Sequence, residues 1–212
     1  MSIVRLLVSA AVLVMATLGL TGCGQSTGNS AVPAAAATGV RAVRLAGPIA
    51  KPELVLTDTA SKSYDLRART AGRVTLLYFG YTFCPDVCPT TMADLALAVR
   101  SLPAATRAKV TVVFVTSDST RDNPAVIKRW LSHFNPSFVG LTGDQAAIYA
   151  AAEQVGVPLK APRAEPDGTY EVEHGAQVLA FGLDGTARYA YVEGTPAADY
   201  AHDLALLAEN KA

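Results

Sequence analysis

Six residues in a row, Val74-Thr75-Leu76-Leu77-Tyr78-Phe79, carry no charge and show no polar–apolar alternation. A run of this kind is expected of a strand buried on both faces. A second one follows at Val110-Thr111-Val112-Val113-Phe114-Val115. Between them Met92, Leu95, Val99 and Leu102 recur at helical spacing, and Pro103 closes the segment. Asp122-Asn123-Pro124 opens a further helix faced by Val126, Ile127, Trp130, Leu131 and Phe134. Phe138 to Leu141 is strand-like, and Ile148, Ala152 and Val155 mark a helix stopped by Gly156 and Pro158. Segments 176–181 and 187–192 flank the hairpin signal Asp184-Gly185. Residues 196–210 form a last helix. Glu53 to Leu56 and Tyr64 to Leu66 suggest an N-terminal hairpin. Strands interleaved with helices predict an α/β three-layer sandwich, a central mixed β-sheet flanked by helices.

The chemistry lies where the first buried strand turns into its helix. Cys84 and Cys88 stand there with three residues between them, followed by Pro89, which suits a first helical turn. Strand, cysteine loop and helix in this order is the layout of thioredoxin-like redox sites. The helix dipole and unpaired N–H groups favour a thiolate at Cys88 and, to a lesser degree, at Cys84. Three uses of the pair compete. A structural disulfide would close a very small loop and stabilise little, since that gain grows with loop length. Redox catalysis and binding of a soft metal are the others.

A metal site needs a third ligand, and the chain has three histidines, His133, His174 and His202. His202 reads as a solvated helix residue, and His133 as facing solvent or capping its helix. His174 immediately precedes the strand at 176–181. In a thioredoxin-like sheet the loop entering that strand lies against the N-terminus of the cysteine helix. Two thiolates and one imidazole make a soft, low-coordinate set suited to Cu(I) and usable by Cu(II). Zinc would accept it but usually takes a fourth ligand.

The third cysteine, Cys23, belongs to the N-terminal address. Arg5 precedes a 15-residue apolar stretch, residues 6–20. That is short for a membrane span of about 20 residues and right for a signal peptide. Leu20-Thr21-Gly22-Cys23 is similar to a bacterial lipobox, which makes 1–22 a signal peptide and Cys23 the lipidated first residue. Residues 23–45, rich in Gly, Ser, Thr, Ala and Pro, read as a flexible tether, and 46–212 as one folded domain. Acyl chains on Cys23 would hold it at the extracytoplasmic face of the cell membrane without a spanning helix. Of the 212 residues half are hydrophobic, which excludes wholesale disorder, and 18 basic side chains balance 18 acidic ones. That balance offers no electrostatic case for nucleic acid.

The block from Tyr78 to Thr90, YFGYTFCPDVCPT, closely resembles the signature of the Sco (SenC-type) copper chaperones. The resemblance continues through Phe114 to Pro124, then Phe138 to Gly143, and ends at Val172-Glu173-His174. It implies a thioredoxin-like fold and one copper ion held by Cys84, Cys88 and His174, with the two cysteines forming a disulfide when oxidised. It further implies delivery of copper to the dinuclear centre of cytochrome c oxidase subunit II or another acceptor. Other copper chaperones or thiol reductants would be further partners. A metallochaperone is the reading in preference to an enzyme. A thiol–disulfide oxidoreductase that reduces the acceptor's cysteines before metallation is the alternative. Three features depart from the family pattern: Glu173 stands where Asp is usual, Gly175 replaces a hydroxyl residue, and Ser119 replaces a proline. Glu173 and Asp86 are expected around the ligands. Asp118, Arg121 and Asp122 read as a structural ion-pair network.

Overall fold

The computed structural model describes residues 39–160, 163–164, 170–171 and 175–212. The proposed signal peptide, Cys23, most of the tether, Glu173 and His174 lie outside the described residues.

The chain runs β1 (Val43–Ala50), β2 (Val55–Asp58), β3 (Ser63–Asp65), α1 (Leu66–Arg69), β4 (Val74–Gly80), α2 (Val87–Ser101), α3 (Ala104–Arg107) and β5 (Val110–Thr116). It continues with α4 (Pro124–Ser132), β6 (Val139–Thr142), α5 (Gln145–Gln154), β7 (Arg163–Ala164), β8 (Tyr170–Glu171), β9 (Val178–Phe181), β10 (Thr186–Tyr191) and α6 (Ala197–Ala208). One eight-stranded mixed sheet has the order β1-β10-β9-β4-β5-β6-β2-β3, and β7 and β8 form a separate ribbon. The middle strands β4, β5 and β6 are parallel, with Val74 opposite Val110 and Gly80 opposite Thr116. All seven residues of β4 are buried. Val74, Leu76 and Tyr78 point into a core shared with α2, α4 and α6. Leu77 and Phe79 point into the other core, shared with α5 and the β2–β3 hairpin. Two covered faces are the reason the strand shows no alternation.

The helix starts follow local chemistry. Asn123 accepts from the N–H groups of Ala125 and Val126 at 3.0 Å each, with Pro124 in the first turn of α4. Asp144 caps α5 through Ala147 N–H at 2.8 Å. At one boundary the structure differs from the sequence reading. β1 begins at Val43, inside the stretch assigned to the tether, and most of its side chains are exposed. It is held by its backbone ladder to β10 and by Leu45 and Ile49 packed against the core, two apolar positions too few to announce a strand. The ribbon β7–β8 and the short α1 and α3 were also unannounced. The N-terminal hairpin is present as β2–β3, paired from Val55–Asp65 to Thr57–Ser63.

Gly140, in the middle of β6, lets α4 sit against the sheet. A Cβ there would stand 2.3 Å from Ile127 Cγ2 and 2.8 Å from Leu131 Cδ1. Gly140→Ala therefore overpacks this contact and destabilises the fold by about 1–3 kcal/mol. Thermal unfolding should show a lower Tm, and an unchanged Tm would mean that α4 lifts at no cost.

Candidate metal centre

At the end of β4 the backbone is tied to β5: Ser117 donates to the Gly80 carbonyl from its N–H at 2.6 Å and from its hydroxyl at 3.2 Å. Residues 81–86 form the loop into α2, with a tight turn from Cys84 N–H to the Tyr81 carbonyl, 3.2 Å. Asp86 occupies the N-cap position, yet its side chain makes no capping bond. A sulfur takes that place. The Cys88 N–H donates to Cys84 Sγ at 3.4 Å, and so meets one of the donors that a helix start leaves unsatisfied.

The two cysteines, both thiols here, occupy opposite environments. Cys84 is partly exposed, whereas Cys88 is fully buried. The Tyr78 hydroxyl donates to Cys88 Sγ at 3.4 Å. Gly80 leaves the sulfur its space: a Cβ there would lie 2.9 Å from Cys88 Sγ and 2.9 Å from Tyr78 Cε1. Burial pushes the Cys88 thiol far above its ordinary range, and the hydrogen bond with Cys84 adds to this. The bond from Tyr78 pulls the other way but does not offset the burial. The sequence reading, which gave the stabilised thiolate to Cys88 first, is corrected here. Desolvation of a sulfur with no water contact outweighs the helix dipole, and the sulfur that receives the helix amide is Cys84.

Asp86 is exposed, its carbonyl accepting from Thr90, and it shares a small cleft with Asp94 and Glu193. Glu173 and His174 lie outside the described residues, but Gly175 is described. Its N–H donates to the Pro158 carbonyl at 2.8 Å, and a Cβ would meet Gln177 Oε1 at 2.5 Å and Pro158 Cδ at 3.0 Å. A larger residue there would require the Gln177 side chain to swing aside and Pro158 and Val157 to give slightly. His133 is exposed at the C-terminal end of α4. His202 is not simply solvated, since its Nδ1 stands 2.9 Å from the buried Asp203 carboxylate.

Arg121 pairs with the buried Asp118 through its Nε, and its guanidinium lies over the rings of Phe83, 4.8 Å, and Tyr81, 5.9 Å. Tyr78, Gly80 and Tyr81 were missed in the sequence as parts of the site. They stand inside the block that carries the family resemblance, but singly they read as strand end and loop. Among the described residues no three His, Cys, Asp or Glu side chains converge as a metal site, and no helix is long and apolar enough to cross a membrane. What is described is a pair of soft sulfur donors, one enclosed and one accessible.

This fold, with a cysteine pair at the junction of a buried strand and a helix, defines a thioredoxin-like protein. The family model SCO1/SenC matches residues 46–209, and the chain belongs to that family. The structure is similar to that of Bradyrhizobium japonicum ScoI with copper bound, at 33% identity and a TM-score of 0.65, covering 75% of this chain and 99% of that one. It is also similar to the apo Sco1 protein from Thermus thermophilus, at 32% identity and a TM-score of 0.66, covering 79% and 94%. A SCO2-like protein of Rickettsia felis is 32% identical over 131 residues, which cover 59% of this chain and 62% of the relative. The chain thus spans about three fifths of that curated relative's length.

The unequal burial of the sulfurs has a direct readout. Alkylation of the reduced, metal-free protein near neutral pH should label Cys84 well before Cys88, as mapped by mass spectrometry. Equal rates, or Cys88 first, would contradict the burial described above.

Proposed function

We propose that this protein is a membrane-tethered copper chaperone that takes up copper through Cys84, Cys88 and His174. The cargo then passes to the dinuclear copper centre of cytochrome c oxidase subunit II. The observation that carries this reading is the sulfur pair itself, enclosed at Cys88 and open at Cys84, in a chain whose fold matches a copper-bound ScoI along almost the whole of that structure. Thiolates are soft donors and suit Cu(I), while an imidazole from His174 extends the set to Cu(II). Transfer requires a ligand that can be displaced. Cys84, at the protein surface, is the one an incoming thiolate of the acceptor reaches first. Cys88 then holds the ion until the exchange is complete. Asp86 and Glu173 are the carboxylates available around the ligands.

Anchoring follows from the N-terminal sequence: a lipidated Cys23 and a tether would place the domain on the extracytoplasmic face of the cell membrane. Thiol reductants or other copper chaperones are the further partners of such a site, which must be reduced and loaded.

One observation favours a second activity at the same pair. An accessible sulfur four residues before a buried one is also the arrangement of an attacking and a resolving thiol. Cys84 thiolate would attack a disulfide of the acceptor and form a mixed disulfide. Cys88 would then displace the acceptor's second sulfur. The acceptor leaves as a dithiol, and Cys84 and Cys88 remain as a disulfide.

Titration of the reduced chain with Cu(I) and Cu(II) tests the ligand set. Cys84→Ser, Cys88→Ser and His174→Ala should each lower affinity by on the order of tenfold or more and alter the thiolate-to-Cu(II) absorbance. If His174→Ala binds as tightly as the unaltered chain, the three-ligand site is wrong. A full complement of acceptor thiols produced by copper-free protein would favour the oxidoreductase. For the anchor, Cys23→Ser should end incorporation of labelled fatty acid, and label retained in that variant would place the lipid elsewhere.

A further inference from the structure

The loop that carries Cys84 is tied down at a point the ligand set does not include. Asp122, in the segment between β5 and α4, is fully buried. Its carboxylate accepts from the Thr82 N–H at 2.9 Å, from the Thr82 hydroxyl at 2.5 Å and from the Thr116 hydroxyl at 2.7 Å. The ion-pair network read from the sequence is therefore only half right. Arg121 serves Asp118, while Asp122 takes hydroxyl and amide donors. Thr116 Oγ1 in turn accepts from the Asp118 N–H at 3.0 Å, and the Asp122 N–H donates to the Asp118 carbonyl at 3.0 Å. The segment is thus fixed to the end of β5 before it grips anything. On either side of Thr82, the rings of Tyr81 and Phe83 pack under the Arg121 guanidinium.

We propose that Asp122 is the positioning residue for the cysteine pair: by holding both the amide and the hydroxyl of Thr82 it sets where Cys84 lies over the start of α2 and keeps Cys88 covered. The physical case is one of chemistry and cost. Placing a carboxylate where no water reaches is unfavourable unless donors satisfy it. Three donors converge here, and they come from two separate segments of chain. A carboxylate accepts all three without offering a donor of its own, which neither an amide nor a hydroxyl can do. Cys84 is two residues beyond the point held, so freedom at Thr82 becomes displacement of the accessible sulfur. Tyr81, buried beside the pair, would move with it.

The proposal concerns the same site as the copper reading, but its first two tests need no metal. In the reduced protein Asp122→Ala should cut the preference of an alkylating reagent for Cys84 over Cys88 by on the order of tenfold, because release of Thr82 uncovers the buried sulfur. The midpoint potential of the Cys84–Cys88 couple should rise, since a looser pair closes less readily. Asp122→Asn and Thr82→Val keep part of the linkage and should fall between Asp122→Ala and the unaltered chain. If Asp122→Ala does not fold, these two variants decide the matter. In copper-loaded protein the thiolate-to-Cu(II) band should shift in the same order. Ile148→Val, a buried change in the core on the other side of the sheet, lowers Tm and should leave alkylation preference, potential and band unchanged. Asp122 and Thr82 variants that alter Tm alone, as Ile148→Val does, would overturn the proposal. Alkylation and potential that move while no copper binds in any variant would support it and count against the chaperone instead.

Discussion

The enclosure of one sulfur governs the rest of the site. Cys88 is sealed between the end of β4 and the first turn of α2, against a glycine that leaves it room and beneath a tyrosine hydroxyl. Enclosure makes the two cysteines, identical as residues, unequal as reagents. The buried one is kept as a thiol by the cost of charging it away from water. The accessible one receives the helix amide. In the proposed chaperone role this asymmetry would let one sulfur be approached while the other retains the ion.

Enclosure depends in turn on the parallel pair β4–β5 being covered on both faces. The aligned register brings Gly80 opposite Thr116, so the two strands end together. The loops that leave them, one bearing the cysteines and the other Asp118, Arg121 and Asp122, are then forced into contact. Their buried carboxylates would be a liability in isolation. Burial pushes Asp122 up from the ordinary carboxylate range, and the bonds from Thr82 and Thr116 counter that push. Asp118 is met by Arg121, whose other side covers the aromatic rings of the cysteine loop. Polar groups with this little water contact are costly to leave unsatisfied; Asp122 meets that cost with three donors, whereas Asp118 keeps one buried oxygen, Oδ1, without a hydrogen bond.

Much of this was legible in the chain. The two uninterrupted apolar runs announced a sheet buried on both faces, and they are β4 and β5. Asn123-Pro124 announced the start of α4 because its cap is local chemistry. The CysXXXCys block placed the two cysteines where the structure has them, at the junction of β4 and α2. What stayed hidden was everything whose cause is distant in sequence. β1 puts only Leu45 and Ile49 against the core, and the edge of β10 supplies its ladder. His202 looked solvated until Asp203 was found buried beside it. Gly175 read as a lost hydroxyl, and only the structure shows that a side chain there would meet Gln177, Pro158 and Val157.

By itself the sequence determined the class of fold, the start of α4 and the place of the cysteine pair, which follow from periodicity, capping and spacing acting over a few residues. The family was legible through the likeness of the block from Tyr78 to Thr90 to a known signature. Only the tertiary structure decided which sulfur is dry and which is open, and that Asp122 grips Thr82 across 40 residues of chain. Burial is a property of what packs against a residue, and the residues that enclose Cys88 come from the end of one strand, its neighbour and the helix between them. The helix dipole could be read locally and pointed to Cys88. Desolvation, which cannot be read locally, was the larger effect and reversed the assignment.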